Sequence, residues 1–182
     1  CDPEAIQRAG QTLMLVFFEM LYRHRTLQSD PHPGNYLFQP NGTVGLLDFG
    51  CVRRFEKDFV ADYARIGRAA VLEDRPGALG VAQGLGVLSG SDPGAEDLFW
   101  DFCDVVARPF RGGPYTAGAS GDGLQRELKA LAPRFLLFPE VRSPPELIYM
   151  HRALGGTYAM LRRLKTEADY GQYHRLYAAH AI

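Results

Sequence analysis

The sequence lacks the features that would assign it to a nucleic-acid-binding or membrane-spanning class. Its formal net charge is −1 at pH 7, so it has no basic surplus with which to bind nucleic acid. Its longest apolar run extends from Leu13 to Tyr22 and is interrupted by Glu19. This run is shorter than the roughly 20 residues that a membrane-spanning helix needs. We therefore expect no nucleic-acid partner, and we expect any association with a membrane to be peripheral.

The sequence also has few cysteines and shows no amino-terminal leader. The three cysteines, Cys1, Cys51 and Cys103, have no metal-binding spacing, which is typical of a reducing compartment. The chain begins with neither a methionine nor the basic segment of a signal peptide. These absences predict a cytoplasmic location, at most peripheral on a membrane, and they suit a fragment of a longer protein.

The length and composition are those of one globular domain. The chain has 182 residues, of which 46% are apolar and 23% charged. A chain of this length can bury a substantial core. We therefore expect residues 1–182 to form a single domain.

Several segments carry helix signals. An aspartate followed directly or within two residues by proline marks a helix start at Asp2, Asp74 and Asp92. The first helix should run to about His24 and lie in the core, because it is apolar nearly all round over its middle turns. Apolar residues spaced three and four apart predict further helices over about 55–70, 98–110, 124–137, 147–164 and 170–179. Residues 111–123 are rich in glycine and predict a flexible loop.

Between the first two helices lies a short hairpin signal. Two apolar runs, residues 36–38 and 44–47, flank the Pro-Asn-Gly-Thr turn of residues 40–43. Because a hairpin brings its outer ends together, the loop before it and the loop after it should meet. We expect this to bring Asp30, Asn35 and Asp48 to one end of the ribbon.

These residues suit phosphoryl transfer. Carboxylate and carboxamide oxygens are hard donors, and Mg²⁺ is commonly held by one or two carboxylates together with substrate phosphates. In kinases, an aspartate is followed five positions later by an asparagine and then by Asp-Phe-Gly. Asp30 and Asn35 have that spacing, and Asp48 begins an Asp-Phe-Gly. The plainer alternative is a pair of polar turns that cap a surface hairpin.

The motif resembles the UbiB/ADCK (ABC1-like) family of atypical, protein-kinase-like proteins. Residues 30–35 read Asp-Pro-His-Pro-Gly-Asn and residues 47–50 read Leu-Asp-Phe-Gly, as in that family's catalytic loop and metal-binding motif. The resemblance implies a mainly helical α+β fold, a kinase-like carboxy-terminal lobe with helices around a small hairpin. It implies Mg²⁺ and ATP as cofactors, with Asp30 as the catalytic aspartate and Asn35 and Asp48 as metal and cofactor ligands. It also implies a link to ubiquinone biosynthesis and an ATPase or kinase activity on small molecules or lipids.

The chain departs from the family pattern in two places. Gln28 occupies the position at which the family usually has a histidine, two residues before the catalytic aspartate. The nucleotide-covering loop, the phosphate-binding lysine with its glutamate partner and the Lys-x-Gly-Gln motif are missing. The chain therefore resembles the carboxy-terminal lobe alone, with the amino-terminal lobe as its missing partner, and we expect it to be inactive by itself.

The segment after Gly50 separates this chain from protein kinases that act on peptides. Only a few residues, including Arg53 and Arg54, precede the next predicted helix, and no Ala-Pro-Glu follows. This favours a small-molecule or lipid substrate. Two alternatives stay open: a phosphotransferase of the aminoglycoside or choline kinase type, and a nucleotide-binding pseudokinase scaffold.

Overall fold

The computed structural model describes residues 2–181 of the chain. Its helices are α1 (Pro3–Phe18), α2 (Lys57–Val71), α3 (Arg75–Gly84), α4 (Pro93–Ala107), α5 (Leu124–Leu131), α6 (Pro145–Leu164) and α7 (Tyr170–Ala181). The strands are β1 (Thr26–Gln28), β2 (Tyr36–Phe38), β3 (Val44–Leu46), β4 (Val52–Arg54), β5 (Tyr115–Thr116) and β6 (Glu167–Ala168).

The first helix begins as the sequence predicts. The Asp2 carboxylate accepts a hydrogen bond from the backbone N–H of Glu4 at 3.1 Å, and Pro3 occupies the first turn. The helix continues beyond Phe18 as a π-helical turn, Glu19–Arg23, so its predicted extent is correct although its last turn is wider than α-helical. Most of the apolar middle of the helix is buried in the core, but Val16 is 37% exposed, so the helix is not buried all round.

The strands pair in three small antiparallel ribbons. β2 pairs with β3 as the predicted hairpin, with Tyr36 opposite Leu46, and Gly42 takes the positive φ of 86° that the turn requires. β1 pairs with β4, so that Gln28 lies opposite Val52. No strand was predicted for Arg53 and Arg54, which precede the next predicted helix. They form a strand because β1 supplies a partner that local sequence does not reveal.

The later helices follow the predictions, with local differences. α5 ends at Leu131, and a 3-10 turn, Ala132–Leu136, follows it directly. The single helix predicted over 124–137 is therefore divided into these two parts. The loop predicted over residues 111–123 contains β5, which pairs with β6.

A single large apolar cluster draws residues from every α-helix except α5. In this cluster α1 packs against α6 and α7, while α2 packs against α3, α4 and α7. The most completely buried large side chains are Tyr170, Leu21, Leu27, Leu98, Met150, Leu161 and Val60. A smaller cluster links α4 to α5 around Leu98, Val105 and Leu131. The prediction of one domain over the whole chain stays a prediction.

Candidate active site

The loop that carries Asp30 is positioned by the residue before the motif. Gln28, at the end of β1, is only 4% exposed, and its Oε1 accepts a hydrogen bond from the backbone N–H of Asp30 at 2.8 Å. Gln28, at the position of the family's histidine, therefore supports the loop through this hydrogen bond to its backbone. The Gln28 Nε2 has no partner among the described residues.

Asn35 is tied directly to Asp30. Its Nδ2 donates to the backbone carbonyl of Asp30 at 2.8 Å, and its backbone N–H donates to the carbonyl of His32 at 2.9 Å. The His32 ring in turn accepts from the N–H of Gly34, which closes the 3-10 turn Pro33–Asn35. Because the amide nitrogen is used in this contact, the Oδ1 of Asn35 is the atom left for a further ligand.

The loop that carries Asp48 is joined to the same assembly. The backbone N–H of Leu47 donates to the carbonyl of Asn35 at 2.9 Å. On the other side, both the N–H and the hydroxyl of Ser29 donate to the carbonyl of Cys51 at 2.9 Å. The motif loops before and after the hairpin are thus bonded to each other, as the hairpin geometry predicts.

Asp48 itself folds back over the turn that follows it. Its Oδ1 accepts from the backbone N–H of Gly50 at 2.7 Å, and its side chain is exposed. This leaves Oδ2 as the carboxylate oxygen available to a ligand. The neighbouring Leu47 and Phe49 are also exposed, to 60% and 65%, so this face of the molecule has an uncovered apolar rim.

Helix α6 supplies a contact that sequence reasoning missed. The Arg152 guanidinium lies 2.7 Å from the Asp30 Oδ1, and both side chains are partly exposed. Gly156, one turn further along the same face, lies against Pro31, where an added Cβ would be only 2.2 Å from the proline ring. The absence of a side chain at Gly156 therefore allows α6 to pack closely against this loop.

The oxygen donors fit Mg²⁺ bound together with phosphates. Asn35 and Asp48 offer one free hard oxygen each, which is the ligand type that Mg²⁺ prefers. Across residues 2–181, no three His, Cys, Asp or Glu side chains come together as a metal-binding group. A metal here would therefore be completed by phosphate and water oxygens. Within the same residues, no helix has both the length and the apolar character needed to cross a bilayer.

Comparison with curated proteins gives two mitochondrial atypical kinases among the relatives. The mitochondrial atypical kinase COQ8 of Saccharomyces cerevisiae is 28% identical over 160 residues, covering 85% of this chain and 32% of the yeast protein. The mitochondrial atypical kinase coq-8 of Caenorhabditis elegans is 29% identical over 187 residues, covering 97% of this chain and 24% of the nematode protein. The chain thus spans about a quarter to a third of the length of these relatives.

A solved structure shares the fold. The structure of Rv3197 in complex with erythromycin, from Mycobacterium tuberculosis, aligns with 96% of this chain and 44% of its own, with a TM-score of 0.71 at 16% identity. The family model described as the ABC1 atypical kinase-like domain matches residues 4–81. Together these findings confirm the predicted mainly helical α+β fold of a kinase-like carboxy-terminal lobe. Residues 4–81 therefore match the ABC1 atypical kinase-like domain model, and the resemblance predicted from the Asp-x4-Asn and Asp-Phe-Gly motifs is confirmed.

Proposed function

We propose that this chain is the catalytic-loop half of an atypical kinase or ATPase that uses Mg-ATP. The observation that carries the proposal is the hydrogen bond from the Asn35 amide to the Asp30 carbonyl. It fixes the two motif residues relative to each other and leaves an oxygen of Asn35 free. The bond from Leu47 to Asn35 extends the same assembly to Asp48.

Each residue has a distinct role in the proposal. Asn35 and Asp48 would hold Mg²⁺, which neutralises the charge that develops on the transferred phosphoryl group. Asp30 would orient the attacking hydroxyl or water through the carboxylate oxygen that Arg152 does not contact. Arg152 would act as a positioning residue, because it fixes the Asp30 carboxylate without belonging to the motif.

The proposed acceptor is a small molecule or a lipid. After Gly50 the chain enters β4 almost at once and then α2, which leaves little room for the long activation segment on which protein kinases place a peptide substrate. By resemblance to the UbiB/ADCK family, we place the role of the longer protein in ubiquinone biosynthesis.

The uncovered face beside Asp48 is where we propose that an amino-terminal lobe packs. Leu47 and Phe49 are exposed there, and burial of such side chains stabilises an interface by roughly 25 cal/mol per Å². Without that lobe the nucleotide would be contacted from one side only. We therefore expect the chain alone to bind ATP weakly and to release no measurable ADP.

The test is Mg²⁺-dependent ADP release by the longer parent protein, measured with and without anionic liposomes and candidate phenolic acceptors. We expect Asp30→Asn to lower the rate about 100-fold or more, since a positioned acid–base group contributes at least that factor. Asp48→Asn should also lower the rate strongly, because it removes a carboxylate that would hold Mg²⁺. Asp58→Asn, on the exposed start of α2, is the matched control and should leave the rate unchanged. Unchanged release in both site variants would refute the proposal.

A nucleotide-binding scaffold would give a different result. The parent protein would then release no ADP but would bind Mg-ATP, and binding would be lost in Asp48→Asn. That outcome would keep the assignment of Asn35 and Asp48 and remove the catalytic role of Asp30.

A further inference from the structure

The helical part of the molecule contains an apolar cavity, partly open to solvent, that the phosphoryl-transfer proposal does not use. It has a volume of about 200 Å³ and lies among α4, α5, α6 and the β5 region. Its walls are almost entirely apolar and include Phe102, Val106, Leu128 and Leu154. A second cavity of about 70 Å³, between α2, α4 and α7, shares Phe102, Val106 and Leu154 with the first.

The volume sets the size of the molecule that could enter. An apolar cavity of about 150 Å³ is large enough to bind benzene and stays dry when empty. The larger cavity therefore has room for one six-membered ring with a short substituent. The two cavities adjoin at this shared wall, so a substituent that passed between the shared side chains would enter the smaller cavity.

The smaller cavity contains a polar atom without a partner. His174 is only 6% exposed, and its Nε2 has no hydrogen-bond partner among the described residues. Its ring is surrounded by aromatic rings, with that of Phe110 at 6.0 Å and that of Phe18 at 6.1 Å between centroids. Buried polar groups in folded proteins are nearly always hydrogen-bonded, so this nitrogen is the atom of the cavity wall that a ligand hydroxyl or a water molecule would satisfy.

The charge of the ligand follows from its surroundings. Burial lowers the pKa of His174 to about 4, and burial likewise lowers the pKa of His151, in the wall common to both cavities, to about 4. Both imidazoles are therefore neutral at pH 7, and no charged side chain lines either cavity. A neutral imidazole nitrogen either donates or accepts, and a hydroxyl group satisfies either state.

We propose that this pair of cavities binds an uncharged small molecule, with a single ring in the larger cavity and a hydroxyl-bearing arm that hydrogen-bonds to the Nε2 of His174. The site is separate from the candidate active site but shares helix α6 with it. His151, Leu154 and Gly155 line the larger cavity, while Arg152 and Gly156 contact the loop of Asp30 and Pro31. The proposal does not depend on phosphoryl transfer by that loop.

The test uses a matched pair of probes, 2-phenylethanol and ethylbenzene, titrated into the 182-residue chain and followed by the NMR signals of the leucine and valine methyl groups. We expect saturable shifts at Leu154 and Leu128, with 2-phenylethanol bound on the order of tenfold more tightly because it gives His174 a partner. In His174→Phe the preference for the alcohol should vanish, while ethylbenzene should still bind. His24→Phe, at an exposed histidine that lines neither cavity, is the control and should keep the preference.

Filling the cavity provides the second arm. Val106→Phe should abolish binding of both probes, and Leu128→Phe, which fills the larger cavity from α5, serves if the first variant does not fold. Binding that persists in a folded cavity-filling variant, absence of saturable shifts in the wild type, or a preference for the alcohol that survives in His174→Phe would overturn the proposal.

Discussion

The two adjacent glycines of α6 allow a test in which the same substitution should have opposite effects. Replacing Gly155 by alanine places a methyl group where no atom lies within 4 Å. The variant should gain the helix propensity of alanine, about 1 kcal/mol in the free energy of unfolding. Replacing Gly156 by alanine gains the same propensity but places the methyl group 2.2 Å from the Pro31 ring.

The magnitude for Gly156→Ala follows by difference. Overpacking of a close contact costs about 1–3 kcal/mol, because the loop or the helix must shift. After the propensity gain of about 1 kcal/mol, the net loss should be about 0–2 kcal/mol. The propensity term is common to both variants, so the Gly155→Ala protein should exceed the Gly156→Ala protein in stability by about 1–3 kcal/mol.

Urea unfolding followed by circular dichroism measures both free energies under the same conditions. The amide signal of Asp30 in the NMR spectrum should also move in Gly156→Ala and stay in place in Gly155→Ala, since only Gly156 presses on the loop. Equal stabilisation by the two substitutions, with no change at Asp30, would refute the packing of α6 against the candidate catalytic loop.

Three further predictions concern charge, thiols and pH. Arg152→Gln should lower the free energy of unfolding by less than about 1 kcal/mol, because this arginine is 61% exposed and exposed ion pairs stabilise little. A loss above about 2 kcal/mol in urea unfolding would contradict the assignment of the Asp30–Arg152 ion pair as an exposed one. In a Cys1→Ser background, a thiol reagent should label the exposed Cys51 quickly and Cys103 only on unfolding. The reason is that Cys103 is buried and that burial raises the pKa of its thiol to about 12. Fast labelling of two thiols in the folded protein would contradict this prediction. The pKa of His174 is lowered from 6.5 to about 4, so the unfolded chain binds more protons in this range and stability should fall as pH drops from 6.5 towards 4. The slope should reach at most about 1.4 kcal/mol per pH unit for this residue, and His174→Phe should remove that share in unfolding measured across the range.

Local signals made much of the fold predictable. A helix start needs only a few consecutive residues, and the caps at Asp74 and Asp92 accept from the N–H groups of Gly77 and Ala95 as expected. The hairpin is likewise set by its turn, whose glycine at position 42 takes a positive φ. These elements are specified by neighbours in sequence, so sequence alone could find them.

The features that were missed depend on distant partners. β4 and β5 are only three and two residues long, and each exists because a remote strand supplies its hydrogen bonds. The ion pair between Asp30 and Arg152 joins residues that are 122 positions apart. No local pattern distinguishes Arg152 from other helix-surface arginines. The catalytic and metal roles of Asp30, Asn35 and Asp48 stay predictions.

The contact of α6 with the loop bears on where the functional unit ends. The family model matches residues 4–81, which include all three motif residues, yet the Asp30 carboxylate is held by a helix that begins at Pro145. The same helix lines the apolar cavity through His151 and Leu154. A change in the packing of α6 would therefore shift the Asp30 carboxylate, even if the changed residue contacts neither nucleotide nor acceptor. Mutational work should therefore not be limited to residues 4–81. For each substitution in α6, the effect on the loop of Asp30 and the effect on the cavity should both be measured before a separate role is assigned to either.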